Sequence, residues 1–478
     1  MTVATHQHSV LLENVVKLIE KKVDKSQVDL VKNFSHILFN NISTDDLDNR
    51  SDSDLYGATL SLWNKFLNFD ASKPIIRVFN PEVGKHGWQS THTIIEILVQ
   101  DMPFLVDSVR MALNRVGVTA HLLLHSPIAI QRDENHKFTG FINGDKKVKN
   151  ANKETIFLIE VDRQTTKKAL DSLANELMSV VNEVSLAVQD WNAMSDKLDV
   201  IIKAFPDNPS PATVEQKTQT IKFLSWLNDH NFTIMGYRSY SAKAVEGDYR
   251  WLADNESSLG LMKNSVSERE RVLSNIPGSA REEALSNHPL LLTKTNSRSR
   301  VHRPAYLDYV GIKRFDEKGN VIGEDRFIGL YSASFYNSSA TQVPVLQNKI
   351  DNICQKSGFD KDSHGHKAFL NIIETYPRDE LLQGSEDELA QIALGIFQMQ
   401  ERGISRLFVR KDVFGRFVSC MVYVPRERYN TQLRKDTQVL LQKSFDSQED
   451  VEFTTYFSES VYARTQYIVR VKDNNSEY

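Results

Sequence analysis

The turn Asp101-Met102-Pro103-Phe104 joins an apolar run, THTIIEILVQ, to apolar residues at helical spacing. Backbone N–H groups at the start of a helix make a natural site for a carboxylate, so the turn reads as an amino-acid sensor. It also reads as a helix cap over a packed core, because Phe104 and Leu105 close the place where a ligand would approach. A second candidate is the basic run TKTNSRSRVHR, with Lys294, Arg298, Arg300, His302 and Arg303. Such a cluster clamps carboxylates or phosphate, or forms a solvated or interdomain face paired with acids. It lacks the interleaved aromatic residues that mark binding of single-stranded nucleic acid.

The remaining reactive groups point away from catalysis. His364 and His366, with Cys354 and Asp362 nearby, match none of the common zinc spacings, and SHGH reads as a polar loop before a helix. His121 and His125 share one face of an expected strand and read as packing residues. Glu374, Asp379 and Glu380 flank Pro377 and Arg378. Paired acids do general acid–base work, but here they read as helix caps bridging to arginine. No glycine fingerprint for a dinucleotide, no phosphate-binding loop and no nucleophile elbow occurs. The residues therefore imply no catalytic group, no cofactor-binding residue and no metal ligand in this chain.

The elements that position these residues follow from periodicity. LLENVVKLIEKKV, QVDLVKNFSHILFNNI and DLYGATLSLWNKFLNF carry apolar residues every three or four positions and read as helices. The polar run Ser43 to Asp54 is a loop whose last Ser or Asp caps the third helix. From His92 to Arg163 the order is strand, turn, helix, strand, strand, helix, a small ferredoxin-like α+β unit. Pro103 suits the first helical turn and Gly117 the helix end. Leu170, Leu173, Leu177, Val180 and Val184 then face one way in a long helix, or two in series, running towards Phe205. DNPSPAT (207–213) is a linker. A helix, a strand FTIMGYRSY, a loop-rich polar stretch from Ala242 to Ser286 with one short helix, and three strand-like runs follow. This strand-rich middle is compatible with a PAS-like sheet. Three helices come next, and the last ~75 residues repeat a small α+β order without an evident sequence repeat.

Length sets a prior of about three domains. Hydrophobic residues at 40% give each a core to bury, and a net charge of −4 gives no bulk field towards nucleic acid or membrane. Two cysteines, Cys354 and Cys420, suit a reducing compartment. No apolar run is long enough to span a bilayer, and MTVATHQHSV lacks the order of a signal peptide. The expectation is a cytoplasmic protein.

Several long phrases carry a family resemblance: DLYGATLSLWN, HTIIEILVQDMPFLVDSV, FLSWLNDHNFTIMGYRSY, LTKTNSRSRVHRPAYLDYVGIKRFD, RFIGLYSAS, ETYPRDELLQ, RLFVRKDVFGRFVSCMVYVPRERYNT and FSESVYAR. Together they resemble the N-terminal region of the large bacterial NAD-specific glutamate dehydrogenases, over most of residues 55 to 470. The resemblance implies an α+β, multidomain chain with two ferredoxin-like, ACT-type βαββα units flanking a PAS-like middle. The expected divisions are a helical segment at 1–73, a first ACT-type domain at 74–205, a PAS-like domain at 214–345, a helical segment at 346–403 and a second ACT-type domain at 404–475. It also implies a non-catalytic regulatory or assembly role, with the catalytic domain and its NAD downstream in the same polypeptide. The parent would convert L-glutamate to 2-oxoglutarate and ammonium. A homo-oligomer and an amino-acid effector are the implied partners. ACT domains commonly have Asp-x-Pro-Gly at the turn where this chain has Asp101-Met102-Pro103-Phe104, so an oligomerisation or interdomain role weighs at least equally there. The alternatives are a stand-alone amino-acid sensor or adaptor, and an enzyme using SHGH or the basic cluster.

Overall fold

In a computed structural model of the chain, the described residues are 2–40, 42, 46, 50–142, 151–245, 248–264, 270–272, 278–399, 402–456 and 460–471. Parts of the loops expected at Ser43–Asp54 and Ala242–Ser286, and the end of the domain expected at 404–475, lie outside them. Two compact units make up the chain: Met1–Val188 with Ser299–Pro304, and Gln189–Arg298 with Ala305–Tyr478.

In the first unit the three amphipathic helices are Thr2–Lys22, Val28–Phe39 and Asp52–Phe66. Ser51 caps the third, its hydroxyl accepting from the Asp54 amide at 3.0 Å. Their stripes bury Val15, Phe34, Leu62 and Phe66 in one core with Ile94, Leu98, Leu124, Ile130 and Leu158 from a sheet. That sheet holds β1 (Ile75–Phe79), β2 (Thr93–Gln100), β3 (Ala120–Arg132), β4 (Phe138–Phe141) and β5 (Ala151–Val161), in the order β1-β2-β5-β3-β4. All its pairings are antiparallel. The helices of 1–73 pack on one another and share one core with this sheet, forming a layer of this unit.

Two buried carboxylates lock the layers. Arg132 forks onto Glu154 at 2.7 and 2.8 Å while donating to the Phe66 carbonyl at 2.8 Å. Arg77 and Ser61 both donate to Glu96 at 2.6 Å. Burial holds the Glu96 carboxyl above its ordinary range despite Arg77.

The expected strand-helix-strand-strand order is β2, helix Leu105–Arg115, β3 and β5, with β4 an outer partner of β3. The edge place beside β2 is taken by β1, from upstream of the unit. The last sheet repeats this plan. It holds β12 (Arg406–Lys411), β13 (Phe417–Pro425), β14 (Glu452–Tyr456) and β15 (Tyr462–Arg470), in the order β12-β13-β15-β14, with helix Thr431–Ser444 after β13. The first α+β unit thus keeps the expected βαββα order, in β2, helix Leu105–Arg115, β3, β5 and helix Lys167–Gln189, with β1 and β4 added, whereas the last is ββαββ in the described residues.

The middle sheet is also antiparallel. It holds β6 (Phe232–Val245), β7 (Asp248–Gly260), β8 (Glu270–Val272), β9 (Leu290–Arg298), β10 (Tyr306–Phe315) and β11 (Val321–Tyr331), in the order β8-β7-β6-β11-β10-β9. The polar stretch expected to be loop contains β7. An irregularity explains why: the pairing with β6 shifts between Tyr237 and Ser239. There the Asp254 carboxylate accepts from the Glu256 and Ser257 amides at 3.1 and 3.3 Å. Such a bulge breaks the period-two pattern from which a strand is read.

Helix Lys167–Gln189 gives way to Trp191–Ala204 at Asp190. Met194, Leu198 and Phe205 bury in the core of the second unit, so Trp191–Ala204 departs from the first α+β unit to which 74–205 assigned it. The same core takes Val310 and Phe327 from the middle sheet, Leu346, Ile350, Phe369 and Leu389 from the helical stretch, and Phe408 and Tyr423 from the last sheet. The expected divisions at 214–345, 346–403 and 404–475 therefore share one core.

Candidate functional site

The turn Asp101–Phe104 is tied down on both sides. Thr155 of β5 donates to the Asp101 carboxylate at 2.6 Å, and the Asp101 amide donates to the Lys153 carbonyl at 2.9 Å. Phe104 enters the helix with φ 70° and caps nothing with its side chain. A bulky residue in the left-handed region is strained and persists only when its surroundings hold it. They do: the Phe104 ring lies 4.8 Å from that of His302, itself at φ 71°. The His302 amide donates to the buried Ser108 hydroxyl at 3.1 Å, one turn into the helix.

His302 belongs to the hexapeptide Ser299–Pro304, which is folded on itself. Ser299 donates to the Val301 carbonyl at 2.6 Å and accepts from the Val301 amide at 3.1 Å, and Val301 is fully buried. Arg300 anchors it to helix Lys167–Gln189, donating to Glu183 at 2.5 Å and to Glu176 and Ser179 at 2.9 Å each. Glu176 also pairs with Arg115 of the preceding helix. Burial raises the Glu183 carboxyl even beside Arg300, whereas at Glu176 the hydrogen bonds from Arg115 and Arg300 outweigh burial and lower it. Burial also pushes the His302 imidazole down, with Arg303 adding to the effect, so the ring stays neutral near pH 7.

The basic run does not converge on one place. Lys294 sits between Asp308 at 2.6 Å and Asp379 at 3.1 Å in the second unit. Arg298 meets Glu452 at 2.8 Å and lies over the Tyr306 ring. The Arg303 amide donates to the Val301 carbonyl at 2.9 Å. Met102 and Pro103 complete the turn. Glu380, read as a capping acid, is a buried partner of Arg410 at 2.6 Å and accepts from Gln466 at 3.0 Å. His366 stands in a helix start capped by Ser363. Among the described residues no three His, Cys, Asp or Glu side chains are grouped to hold a metal ion.

One feature had no counterpart in the sequence reading. The second unit contains a cleft of about 1000 Å³. Its walls are helix Pro344–Lys356, helix Val214–Trp226, β9 and the bend from Leu382 to Glu388. Lys349 lines it, and its amine donates to the Leu382 carbonyl at 3.2 Å. Burial pushes the amine down to about 8 although Glu386 opposes it. The signal was available: Lys349 falls beside Leu346, Ile350 and Ile353 on the buried stripe of its helix, where a lysine is out of place.

Three family models match the chain: the glutamate dehydrogenase ACT1 domain over residues 34–177, helical motif 1 over 343–402 and the ACT2 domain over 406–478. The chain is 38% identical over 463 residues to an NAD-specific glutamate dehydrogenase of Halomonas elongata, covering 96% of this chain and 29% of that protein. It is 38% identical over 440 residues to that of Pseudomonas aeruginosa, covering 92% and 27%. With that of Mycobacterium tuberculosis it is 23% identical over 380 residues, covering 79% and 22%. The chain thus spans under a third of the length of these curated relatives. Over residues 34–177, 343–402 and 406–478 it belongs to the glutamate dehydrogenase family, carrying that family's ACT1 domain, first helical motif and ACT2 domain.

Proposed function

We propose that this chain is the N-terminal, non-catalytic regulatory and assembly segment of an NAD-dependent glutamate dehydrogenase. The parent polypeptide converts L-glutamate, NAD and water to 2-oxoglutarate, ammonium and NADH in a domain outside these residues. The observation that carries this reading is the succession of ACT1 domain, helical motif and ACT2 domain in a chain spanning under a third of its relatives. The six-stranded sheet supports a PAS-like middle: leaving aside its three-residue edge strand β8, the order β7-β6-β11-β10-β9 is second-first-fifth-fourth-third among the remaining five strands, as in PAS sheets. The parent works in the cytoplasm as a homo-oligomer. Two buried free cysteines suit a reducing compartment, and no described helix is long and apolar enough to cross a membrane.

The Asp101–Phe104 turn serves assembly rather than capture of a free amino acid. Its approach is filled by the protein's own His302, held by Ser108 and by Arg300 on Glu176 and Glu183. Two measurements test the whole reading. The 478-residue chain, assayed with L-glutamate and NAD, produces no NADH; turnover by this chain alone overturns the proposal. Reading the gene beyond Tyr478 finds a dinucleotide-binding glycine fingerprint in frame, whereas a stop codon there favours a stand-alone sensor.

A further inference from the structure

The first and last sheets are built alike except in one place. β1, β2, β5 and β3 correspond in order to β12, β13, β15 and β14, and each sheet has a helix after its second strand, Leu105–Arg115 in one and Thr431–Ser444 in the other. The first sheet has a further helix after β5, Lys167–Gln189, whose Glu176 pairs with Arg115 of its neighbour. Among the described residues no helix follows β15. The edge strands differ accordingly. On β1, Ile76 and Val78 pair with the buried Ile97 and Ile95 and are themselves half-buried. These four stand outside the core shared with the N-terminal helices, so they face away from it. The buried stripes Val109 and Leu113 of one helix, and Leu173 and Leu177 of the other, are the apolar surface left to meet them.

On β12 the counterparts are Leu407 and Val409. They pair with Val422 and Cys420 of β13, which pack with Leu441 of helix Thr431–Ser444, so they stand on the helix side of the sheet. The opposite face, with Phe408 and Tyr423, belongs to the core of the second unit. Yet Leu407 is 46% exposed and Val409 48%. The helix sits towards the other edge: Gln438 and Gln442 donate to the Val451 and Glu449 carbonyls at 2.7 and 3.1 Å, just before β14. Leu433 and Leu440, seven residues apart and so on one flank, look the other way, and Leu440 is 64% exposed. Leu407, Val409 and Leu440 thus border an open apolar trough between helix and edge strand. A sheet face of this kind is stable when another element covers it, and an uncovered one marks an interaction site.

We propose that this trough seats an amphipathic helix of the same polypeptide, the first one after Tyr478. It lies beside helix Thr431–Ser444 as Lys167–Gln189 lies beside Leu105–Arg115. The strand ends agree with that. β15 ends at Arg470, opposite Phe417 at the start of β13, just as β5 ends at Val161, opposite Thr93 at the start of β2. A chain leaving β15 there emerges at the end of the sheet where β12 finishes in Lys411, and turns back over Val409 and then Leu407. The occupant is this chain's own continuation rather than a second copy, because the first unit fills the matching place in cis. The inference rests on the reading that the polypeptide extends past these residues, in keeping with a chain that spans under a third of its curated relatives. It adds where the next element docks.

The test is photo-cross-linking in the full-length polypeptide, with a benzophenone-bearing amino acid in place of Val409 and, in a second variant, of Leu440. Both side chains are exposed, so neither replacement disturbs a packed core, and each variant stands if the other does not fold. Irradiation followed by mass spectrometry is expected to join both positions, within one subunit, to the same peptide. That peptide falls within about 30 residues after Tyr478, room for a short loop and a helix of ordinary length. A cross-link to another subunit, to a distant part of the chain, or to nothing overturns the proposal. A stop codon directly after Tyr478 overturns this inference together with the glutamate dehydrogenase reading. An in-frame catalytic domain without the cross-link overturns this inference alone, so the two fail separately.

Discussion

At the scale of single residues, several buried charges of the second unit are paired or held off their ordinary titration. Glu380 and Arg410 are both nearly fully buried, with Gln466 and Gln383 completing the network. Removing one partner strands the other charge. Arg410→Met is expected to lower unfolding free energy by about 3–5 kcal/mol, and Arg410→Met with Glu380→Leu by much less. Urea denaturation of both variants checks this; equal losses would show that the charges are not coupled. The lysines make a pH prediction. Burial lowers Lys349 and Lys313 from 10.5 to about 8. Between pH 8 and 10.5 the unfolded chain therefore binds more protons than the folded one, and these groups make stability rise with pH. Burial raises Cys420 and Cys354, which works the opposite way from pH 9. The clean measurement is thus the difference between wild type and Lys349→Met, whose urea midpoints should converge as pH goes from 7.5 to 9.5. A constant difference would contradict the lowered lysine.

At the scale of elements, two helices depend on close approaches. Gly57 sits inside helix Asp52–Phe66, where glycine usually costs about 1 kcal/mol against alanine. A Cβ there would lie 2.4 Å from the Trp88 Cβ. Gly57→Ala is therefore expected to destabilise by about 1–3 kcal/mol, the overpacking term overriding propensity. Gly84→Ala, in a short helix with nothing within 4 Å of the new methyl, serves as the control and should be neutral or stabilising. Thermal melts of the pair decide the sign. Helix Leu105–Arg115 is held differently, by the His302 amide on Ser108. Ser108→Ala leaves that amide without its acceptor. It should speed His302 amide exchange by about tenfold or more, the equivalent of 1–3 kcal/mol for a stranded buried donor. Unchanged exchange would mean that the hexapeptide is held by Arg300 alone.

At the scale of the whole molecule, each unit has its own apolar core. Phe335 is fully buried and stacks on Tyr331 at 4.4 Å in the second unit. Phe335→Ala is expected to cost about 3–5 kcal/mol. Hydrogen-exchange mass spectrometry should register that loss in peptides from 305–471 and not in those from 11–132; uniform loss would mean one cooperative block. Much of this architecture was legible from sequence. The helical stripes, the capping serines and the strand-helix-strand runs are local patterns, fixed by spacing along the chain. Three things were not legible. The edge strand β1 closes its sheet through pairing with β2, and which strand takes an edge is set by the packed sheet. β7 is interrupted by a bulge that hides its alternation. The basic run looked like one cluster because its residues are neighbours in sequence, yet folding sends Lys294 and Arg298 to acids of one unit and Arg300 to acids of the other. The sequence by itself determined the elements and the charges that must be satisfied. Only the tertiary structure decided which partner satisfies each, because ion pairs and strand edges are chosen by distance in space.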